Sequence, residues 1–135
     1  MSVLDILKQG VAFTNDDETA REMLVDFTDH KVGMHLDAED VTMVVLDGSL
    51  SLEDGIRDDC HVVMRLKTID LYGAIDSSVD LMEIKDKGEI IKGDAKDANT
   101  AVHFMATFPF FDAMVRLYED DGTFRKQVDD LKAAL

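Results

Sequence analysis

The chain has 135 residues, 46% of them hydrophobic and 32% charged, which is enough for one compact domain (1–135) with a buried core. Acidic residues number 29 against 14 lysines and arginines, and the resulting net charge of −15 argues against binding to nucleic acid or to anionic lipid surfaces. Charges interrupt every apolar run early, no basic and apolar leader is visible, and one cysteine allows no internal disulfide, so we expect a cytoplasmic protein that is not integral to a membrane.

The negative charge is unevenly distributed along the chain. Residues 1–64 carry a net charge of −11, residues 65–96 carry −1 and residues 97–135 carry −3. The middle third is therefore where an anionic group would approach at the lowest electrostatic cost.

Residues 1–30 are predicted to form two short helices. The first follows Ser2 and ends near Gly10, and the second begins near Asn15 with Glu18 at the capping-box position. Apolar residues recur at helical spacing on both helices and should face the core: Val3, Ile6, Leu7 and Val11, then Ala20, Met23, Leu24 and Phe27.

The hydrophobic pattern then changes to a period of two, which is typical of strands. The turn signal Asp47-Gly48 separates two of them. The predicted strands cover residues 32–36, 41–46, 49–52, 61–67 and, after two helices, 89–92. Short turns join the first strands, which favours an antiparallel meander.

Helices are predicted for most of the second half. One begins at Thr68, and Ser77 or Ser78 would cap a short second one. After the last strand, Pro109 is expected to begin a new helix, and another follows Gly122. Strands and helices are segregated, so the predicted class is α+β, with about five mostly antiparallel strands in one sheet covered by helices.

Two predicted C-terminal helices have clear apolar faces. The face that follows Pro109 comprises Phe111, Met114, Val115 and Tyr118, and that of the last helix comprises Phe124, Val128, Leu131 and Leu135. Before them, Ala101, Phe104, Met105 and Phe108 form another stripe.

The sequence lacks motifs for catalysis or metal binding. The four histidines and Cys60 have no CxxC, HExxH or paired CxxH spacing, and the acidic clusters lack the spacing of a calcium-binding EF-hand. The serines have no G-x-S-x-G elbow, and the glycines occur singly, without a phosphate-binding loop. We therefore expect no bound metal, no cofactor and no independent catalytic activity.

Apolar chemistry is the remaining signal. The chain has eight methionines, and four of its seven phenylalanines lie in 104–111. Methionine side chains are flexible and can line a cavity that adapts to varied apolar ligands. They can equally fill a solid core, and periodicity does not distinguish the two arrangements.

The order of motifs in residues 32–108 resembles a known family. Asp47-Gly-Ser-Leu-Ser-Leu-Glu-Asp-Gly55 precedes Asp59-Cys-His-Val-Val-Met-Arg-Leu66, and a helical stretch then leads to Gly88-Glu-Ile-Ile-Lys-Gly-Asp94. In this order and spacing the chain resembles the sterol carrier protein 2 (SCP2) sterol-binding domain. The resemblance implies an SCP2-like α+β fold with a hydrophobic tunnel between sheet and helices, which takes fatty acids, fatty acyl chains, sterols or similar molecules.

The resemblance also implies which residues meet such a ligand. By position, the tunnel lining would be Met64, Leu66, Leu71, Ile75, Met82, Ile90, Phe104, Met105 and Phe108. Lysines of the nearly neutral middle segment would meet a carboxylate or phosphate headgroup at the mouth: Lys85, Lys87, Lys92 and Lys96. The implied function is lipid binding and lipid transport without chemical change of the ligand.

Two features depart from the family pattern. The C-terminal Ala133-Ala-Leu135 does not match a Ser-Lys-Leu-like peroxisomal signal. Residues 109–135 extend the domain beyond the N-terminal helices (1–30) and the core (31–108), and their apolar faces would plug the tunnel, act as a lid or form a homodimer seam. Two alternatives therefore stay open, namely a protein–protein interaction or dimerisation module with a filled core, and an accessory domain that delivers substrate to an enzyme.

Overall fold

The computed structural model describes residues 1–80, 83–93 and 105–135, and there it shows one β-sheet with a layer of helices. The helices are α1 (Val3–Asp16), α2 (Glu18–Leu24), α3 (Thr68–Asp76), α4 (Ile84–Lys87), α5 (Phe108–Asp120) and α6 (Gly122–Ala133), with a 3-10 turn at Val25–Phe27. The strands are β1 (Lys31–Leu36), β2 (Glu39–Leu46), β3 (Ser49–Asp54), β4 (Val62–Leu66) and β5 (Glu89–Lys92). The predicted α+β class is confirmed.

The strands lie in the order β3-β2-β1-β4-β5 across the sheet. β1 pairs in parallel with β4, and the other three pairs are antiparallel, so the mostly antiparallel sheet is confirmed, although a simple meander is not. Asp47 and Gly48 join β2 to β3 with φ angles of 52° and 75°, the left-handed conformation that a two-residue hairpin turn requires. Because β2 and β1 separate β3 from β4, the chain crosses the sheet between these two strands.

Residues 55–61 make this crossing over the sheet face that carries Gly33 and Thr42. A Cβ atom at Gly33 would lie 3.1 Å from Ile56 and 3.3 Å from Cys60 Sγ, so the missing side chain lets the loop lie close to the strand. The hydroxyl of Thr42 donates to the carbonyl of Gly55 (2.8 Å) and accepts from the N–H of Arg57 (3.0 Å). These contacts satisfy the buried hydroxyl and fix the loop in place.

The opposite face of the sheet and the helices form the main core. Alternate strand residues enter this core because side chains on a strand point to opposite faces in turn. The sheet contributes Met34, Leu36, Val41, Met43, Val45, Leu50, Met64 and Leu66. The helices contribute Ile6, Leu7, Leu24, Leu71, Ile75, Phe110, Phe111 and Met114, among others.

Gly10 does not end the first helix, contrary to the prediction, and α1 continues to Asp16. A Cβ atom at Gly10 would lie 2.7 Å from Met114 Cγ and 2.9 Å from Phe110 Cε2. The glycine therefore allows α5 to pack closely against α1. Its role is contact between helices rather than helix termination.

The second helix also differs from its prediction near Asn15. The helix break lies at Asp17, whose carboxylate accepts a hydrogen bond from the N–H of Ala20 at 2.8 Å and caps α2. Ala20 and Leu24 are buried as expected, but Met23 is 45% exposed. A short helix of seven residues turns only one narrow face to the core, and Met23 lies beside that face.

Thr68 is the first residue of α3 and not its predicted cap. Its N–H donates to the carboxylate of Asp37, at 3.0 Å, in the turn between β1 and β2. α3 ends at a left-handed Ser77, and residues 77–80 are not helical, so neither Ser77 nor Ser78 caps α4 as predicted. The cap of α3 thus comes from a residue that is distant in sequence.

The C-terminal helices pack against the rest of the chain. Pro109 lies in the first turn of α5, as predicted, where its missing N–H costs no helix hydrogen bond. Phe110, Phe111 and Met114 of α5, and Phe124 and Val128 of α6, expose 1% or less. Leu135, by contrast, is 64% exposed. The centres of the two apolar faces are thus buried within one chain, whereas the predicted face residue Leu135, near the C-terminus, is not.

Candidate functional site

Four of the predicted lining residues meet in the core between β4 and the helices. Met64 and Leu66 come from β4, where alternation places them on the same face of the sheet. Leu71 and Ile75, four residues apart, lie on one face of α3. All four belong to a single buried cluster, together with Phe110 of α5.

The space around these four side chains is closed. Their exposed fractions are 1% for Met64 and Leu66 and 0% for Leu71 and Ile75. A cavity wide enough for water beside them would leave measurable exposed surface, so neighbouring side chains fill the space at these positions. At these four positions the lining is therefore a packed core, and an acyl chain that reached them would displace neighbouring side chains.

The remaining apolar residues of the predicted lining are placed differently. Ile90 is half-buried on β5 and lies opposite Met64 in the sheet register. Phe108 is half-buried and packs against the core cluster. Met105, however, is 48% exposed, so it does not face the core as its spacing predicted. Met82 and Phe104 lie outside the described residues.

Two of the four predicted headgroup lysines, Lys87 and Lys92, have side chains in the described part of the chain. Lys87 is exposed at the end of α4. Lys92 lies opposite Val63 in the register, and its Nζ donates to the carbonyl of Asp58 at 3.1 Å. This contact ties Lys92 to the crossing loop, on the face of the sheet away from the helices. The side chain of Lys85, and Lys96 as a whole, lie outside the described part of the chain.

A separate cleft of about 520 Å³ lies between α2 and the β2–β3 turn. Its lining consists of Asp16, Glu18, Arg21, Glu22, Val25, Asp47 and Gly48. Sites for apolar ligands are lined mainly by hydrophobic and aromatic side chains. With four carboxylates and one exposed valine, this cleft does not fit an acyl chain.

Two ion pairs fasten the C-terminal helices to the rest of the molecule. Arg116 of α5 donates two hydrogen bonds to the carboxylate of Asp17, at 2.9 and 3.0 Å. Lys132 of α6 donates to Asp76 at 2.6 Å and to the hydroxyl of Ser78 at 3.0 Å, at the end of α3. Sequence reasoning missed both pairs because the partners lie 99 and 56 residues apart, and nothing in a single sequence marks them as neighbours.

These contacts lower the pKa of both carboxyl groups. Hydrogen bonds from Arg116 and from the N–H of Ala20 lower the pKa of Asp17. For Asp76, burial acts to raise the pKa, but the hydrogen bonds from Lys132 and Ser78 outweigh it, and the pKa is lowered. Both carboxylates are therefore ionised near neutral pH, when their cationic partners are charged.

The buried thiol of Cys60, in the crossing loop, lies 3.7 Å from the hydroxyl of Thr42 on β2. Over residues 1–80, 83–93 and 105–135, no three His, Cys, Asp or Glu side chains are grouped so that they would hold a metal ion. In those same ranges, no helix combines the length and the apolar character that crossing a bilayer requires.

No protein-family model and no curated protein matches the sequence. Among solved structures, one described as "UbiJ-SCP2 Ubiquinone synthesis protein" matches with a TM-score of 0.56 and 9% identity, over 88% of this chain and 93% of the other. A second, a conserved hypothetical protein (TT1886) from Thermus thermophilus whose description raises a sterol carrier role, has a TM-score of 0.59 and 12% identity over 84% and 86% of the two chains.

A third match is to an enzyme, the inverting sec-alkylsulfatase Pisa1 from Pseudomonas sp., with a TM-score of 0.50 and 18% identity. It covers 69% of this chain but only 14% of the enzyme, so the likeness concerns one part of a much longer protein. All three identities are low, and the likeness concerns the backbone architecture. The chain has the fold of SCP2-like domains.

Proposed function

We propose that this protein binds one apolar, lipid-type molecule, such as a fatty acid or a fatty acyl chain, between its sheet and its helices, and that it does not transform it. The observation that carries the proposal is the SCP2-like architecture over 84–88% of the chain, shared with a protein described as a possible carrier of sterols. The methionine- and phenylalanine-rich core occupies the position that such a ligand would take.

The chemistry of the core supports an apolar ligand. Met64 and Phe110 are apolar side chains of this core, and the unbranched methionine side chain can adapt its shape to an apolar guest. Transfer of an acyl chain from water into such surroundings contributes about 0.8 kcal/mol per methylene group, before the costs of binding and rearrangement are subtracted. A longer acyl chain thus supplies more free energy toward the opening of a packed core.

The edge strand β5 gives a matched pair of variants for a test. Ile90 is half-buried opposite Met64, and its neighbour Ile91 is 45% exposed. We expect Ile90→Ser to weaken binding of a fatty acid severalfold, because a polar group would replace an apolar contact at the margin of the site. Ile91→Ser should bind as the unsubstituted protein does.

Native mass spectrometry of delipidated protein incubated with a fatty acid measures both the mass of any bound molecule and its stoichiometry. The proposal predicts a one-to-one complex that is depleted in the Ile90→Ser protein and retained in the Ile91→Ser protein. Equal retention of the fatty acid by both variants would place the ligand away from the core, and the absence of any complex would refute the proposal.

A further inference from the structure

The arrangement of α6 has a bearing on how a ligand would reach the closed core. α6 packs on α5, α1 and α3. α3 carries Leu71 and Ile75, and α5 carries Phe110, so α6 braces the two helices that close the apolar site. Because α6 contacts both helices, its release would remove one of the contacts that hold α3 and α5 together.

A short link joins α5 to α6. Asp121 separates the two helices in an extended conformation, and its carboxylate accepts hydrogen bonds from the N–H groups of Thr123 and Phe124. Nothing lies within 4 Å of where a Cβ atom of Gly122 would be. Across this link the guanidinium of Arg125 donates to the carbonyls of Tyr118 and Glu119. The start of α6 is therefore tied to the end of α5, and α6 would leave α3 from its far end.

The far end of α6 is held by a compact polar contact. Lys132 Nζ lies 2.6 Å from the carboxylate of Asp76 and 3.0 Å from the hydroxyl of Ser78. The side chains of Lys132 and Asp76 are 29% and 13% exposed, so water screens this pair less than it screens a surface pair. The contact joins α6 directly to the end of α3, only one residue beyond Ile75.

We propose that α6 is a strap that holds the apolar site closed and is fastened at its far end by the Lys132–Asp76 contact. The strap regulates loading of the ligand, and the inference thus rests on the function proposed above. In the fastened state α3 and α5 are packed and the site is filled by the protein's own side chains. Breaking the contact raises the population of the open state and, with it, the apparent affinity and the rate of loading.

The helix itself supplies a matched control for a test. Lys126 also pairs with an aspartate at 2.7 Å, but its partner Asp130 lies on the same helix and both side chains are largely exposed. Lys132→Gln and Lys126→Gln therefore remove the same charge from the same helix, and only the first cuts a link to α3. Two quantities are compared in both variants, the amide hydrogen exchange of α6 and the rate at which a fluorescent fatty acid loads into delipidated protein.

We expect Lys132→Gln to speed both exchange in α6 and loading by about three- to tenfold, the range expected for loss of one partly exposed ion pair. Lys126→Gln should leave both within about twofold of the unsubstituted protein. If Lys132→Gln speeds exchange but not loading, or changes neither, the strap is refuted while the proposed function stands. If none of the three proteins binds the probe, the proposed function fails and the strap fails with it.

Discussion

At Gly10, the absence of a side chain permits the close contact between α1 and α5. A glycine after an apolar helical stretch commonly ends a helix, so the sequence predicts a terminus there. Only the structure shows that Met114 and Phe110 fill the space above Gly10. The two uses of glycine look alike in a sequence because the partner helix lies about a hundred residues away.

Gly10→Ala should therefore destabilise the protein, by about 1 kcal/mol. Alanine gains about 1 kcal/mol in helix propensity, but overpacking of a buried contact costs about 1–3 kcal/mol. Urea unfolding measures the balance. Gly122→Ala is the control, since no atom lies near its new Cβ, and it should be neutral or stabilising by up to about 1 kcal/mol. A Gly10→Ala protein that is more stable than the original would show that Met114 and Phe110 move aside freely.

Asp17 caps α2 and pairs with Arg116, and its lowered pKa makes stability depend on pH. Because the pKa is lower in the folded protein than in the unfolded chain, the contribution is complete above the unfolded value, near 3.8, and is lost as the pH falls through the folded value. Asp17→Asn keeps a good capping residue but removes the ion pair. We expect it to be less stable than the unsubstituted protein at pH 7 and equally stable at the acid end.

Thermal unfolding at a series of pH values from 7 down to 2 measures this difference. Asp112→Asn is the control, because Asp112 pairs with the same arginine but its side chain is 61% exposed. It should change stability at pH 7 less than Asp17→Asn does. A stability difference between Asp17→Asn and the unsubstituted protein that persists unchanged at pH 2 would contradict the assignment of Asp17 as an ionised partner of Arg116.

At the scale of helices and strands, periodicity locates the elements more reliably than their ends. The strand near 32–36 is predicted because apolar and polar residues alternate there, and the strand near 41–46 is predicted because β-branched residues are concentrated there. The cap of α3 is not predicted, because its carboxylate comes from Asp37, in the turn between β1 and β2. Met105 belongs to a predicted apolar stripe but is 48% exposed. Periodicity marks a residue as apolar at helical spacing, but it does not show whether another element packs against it.

Substitution of Phe124 tests whether α6 packs against its own chain and not against a second copy. The side chain is 1% exposed within one chain, so Phe124→Ala should cost about 3–5 kcal/mol of unfolding free energy, while Leu135→Ala, at a 64% exposed position, should cost less than about 0.5 kcal/mol. The cost should not depend on protein concentration, because no second chain is needed to bury the residue. A melting temperature that rises with protein concentration in the unsubstituted protein but not in the variant would instead support a dimer seam at α6.

At the scale of the whole molecule, the sequence predicts the class of fold and the identity of much of the core. It does not predict whether the core is open or filled, because Met64, Leu71 and Phe110 have the same spacing in either case. That distinction depends on the volume left between the sheet and the helices. Nor does the sequence show that Lys92 lies on the face of the sheet opposite the helices.

The negative charge of the molecule opposes aggregation of a domain that has a large apolar core. The net charge of −15 resists self-association of a protein with eight methionines and seven phenylalanines. Much of that charge lies in residues 1–64, which include the lining of the acidic cleft. The helical elements around the proposed ligand site, α3 and α5, come from the less acidic remainder of the chain.

The central claim is that the core admits an apolar ligand, and equilibrium titration of delipidated protein with a panel of fluorescent fatty acids tests it most directly. The account predicts saturable one-to-one binding with a Kd of about 10 µM or lower, which corresponds to about −7 kcal/mol or better. Circular dichroism on the same samples establishes that the protein is folded. A folded protein that binds no member of the panel at tens of micromolar, about −6 kcal/mol, would contradict the account.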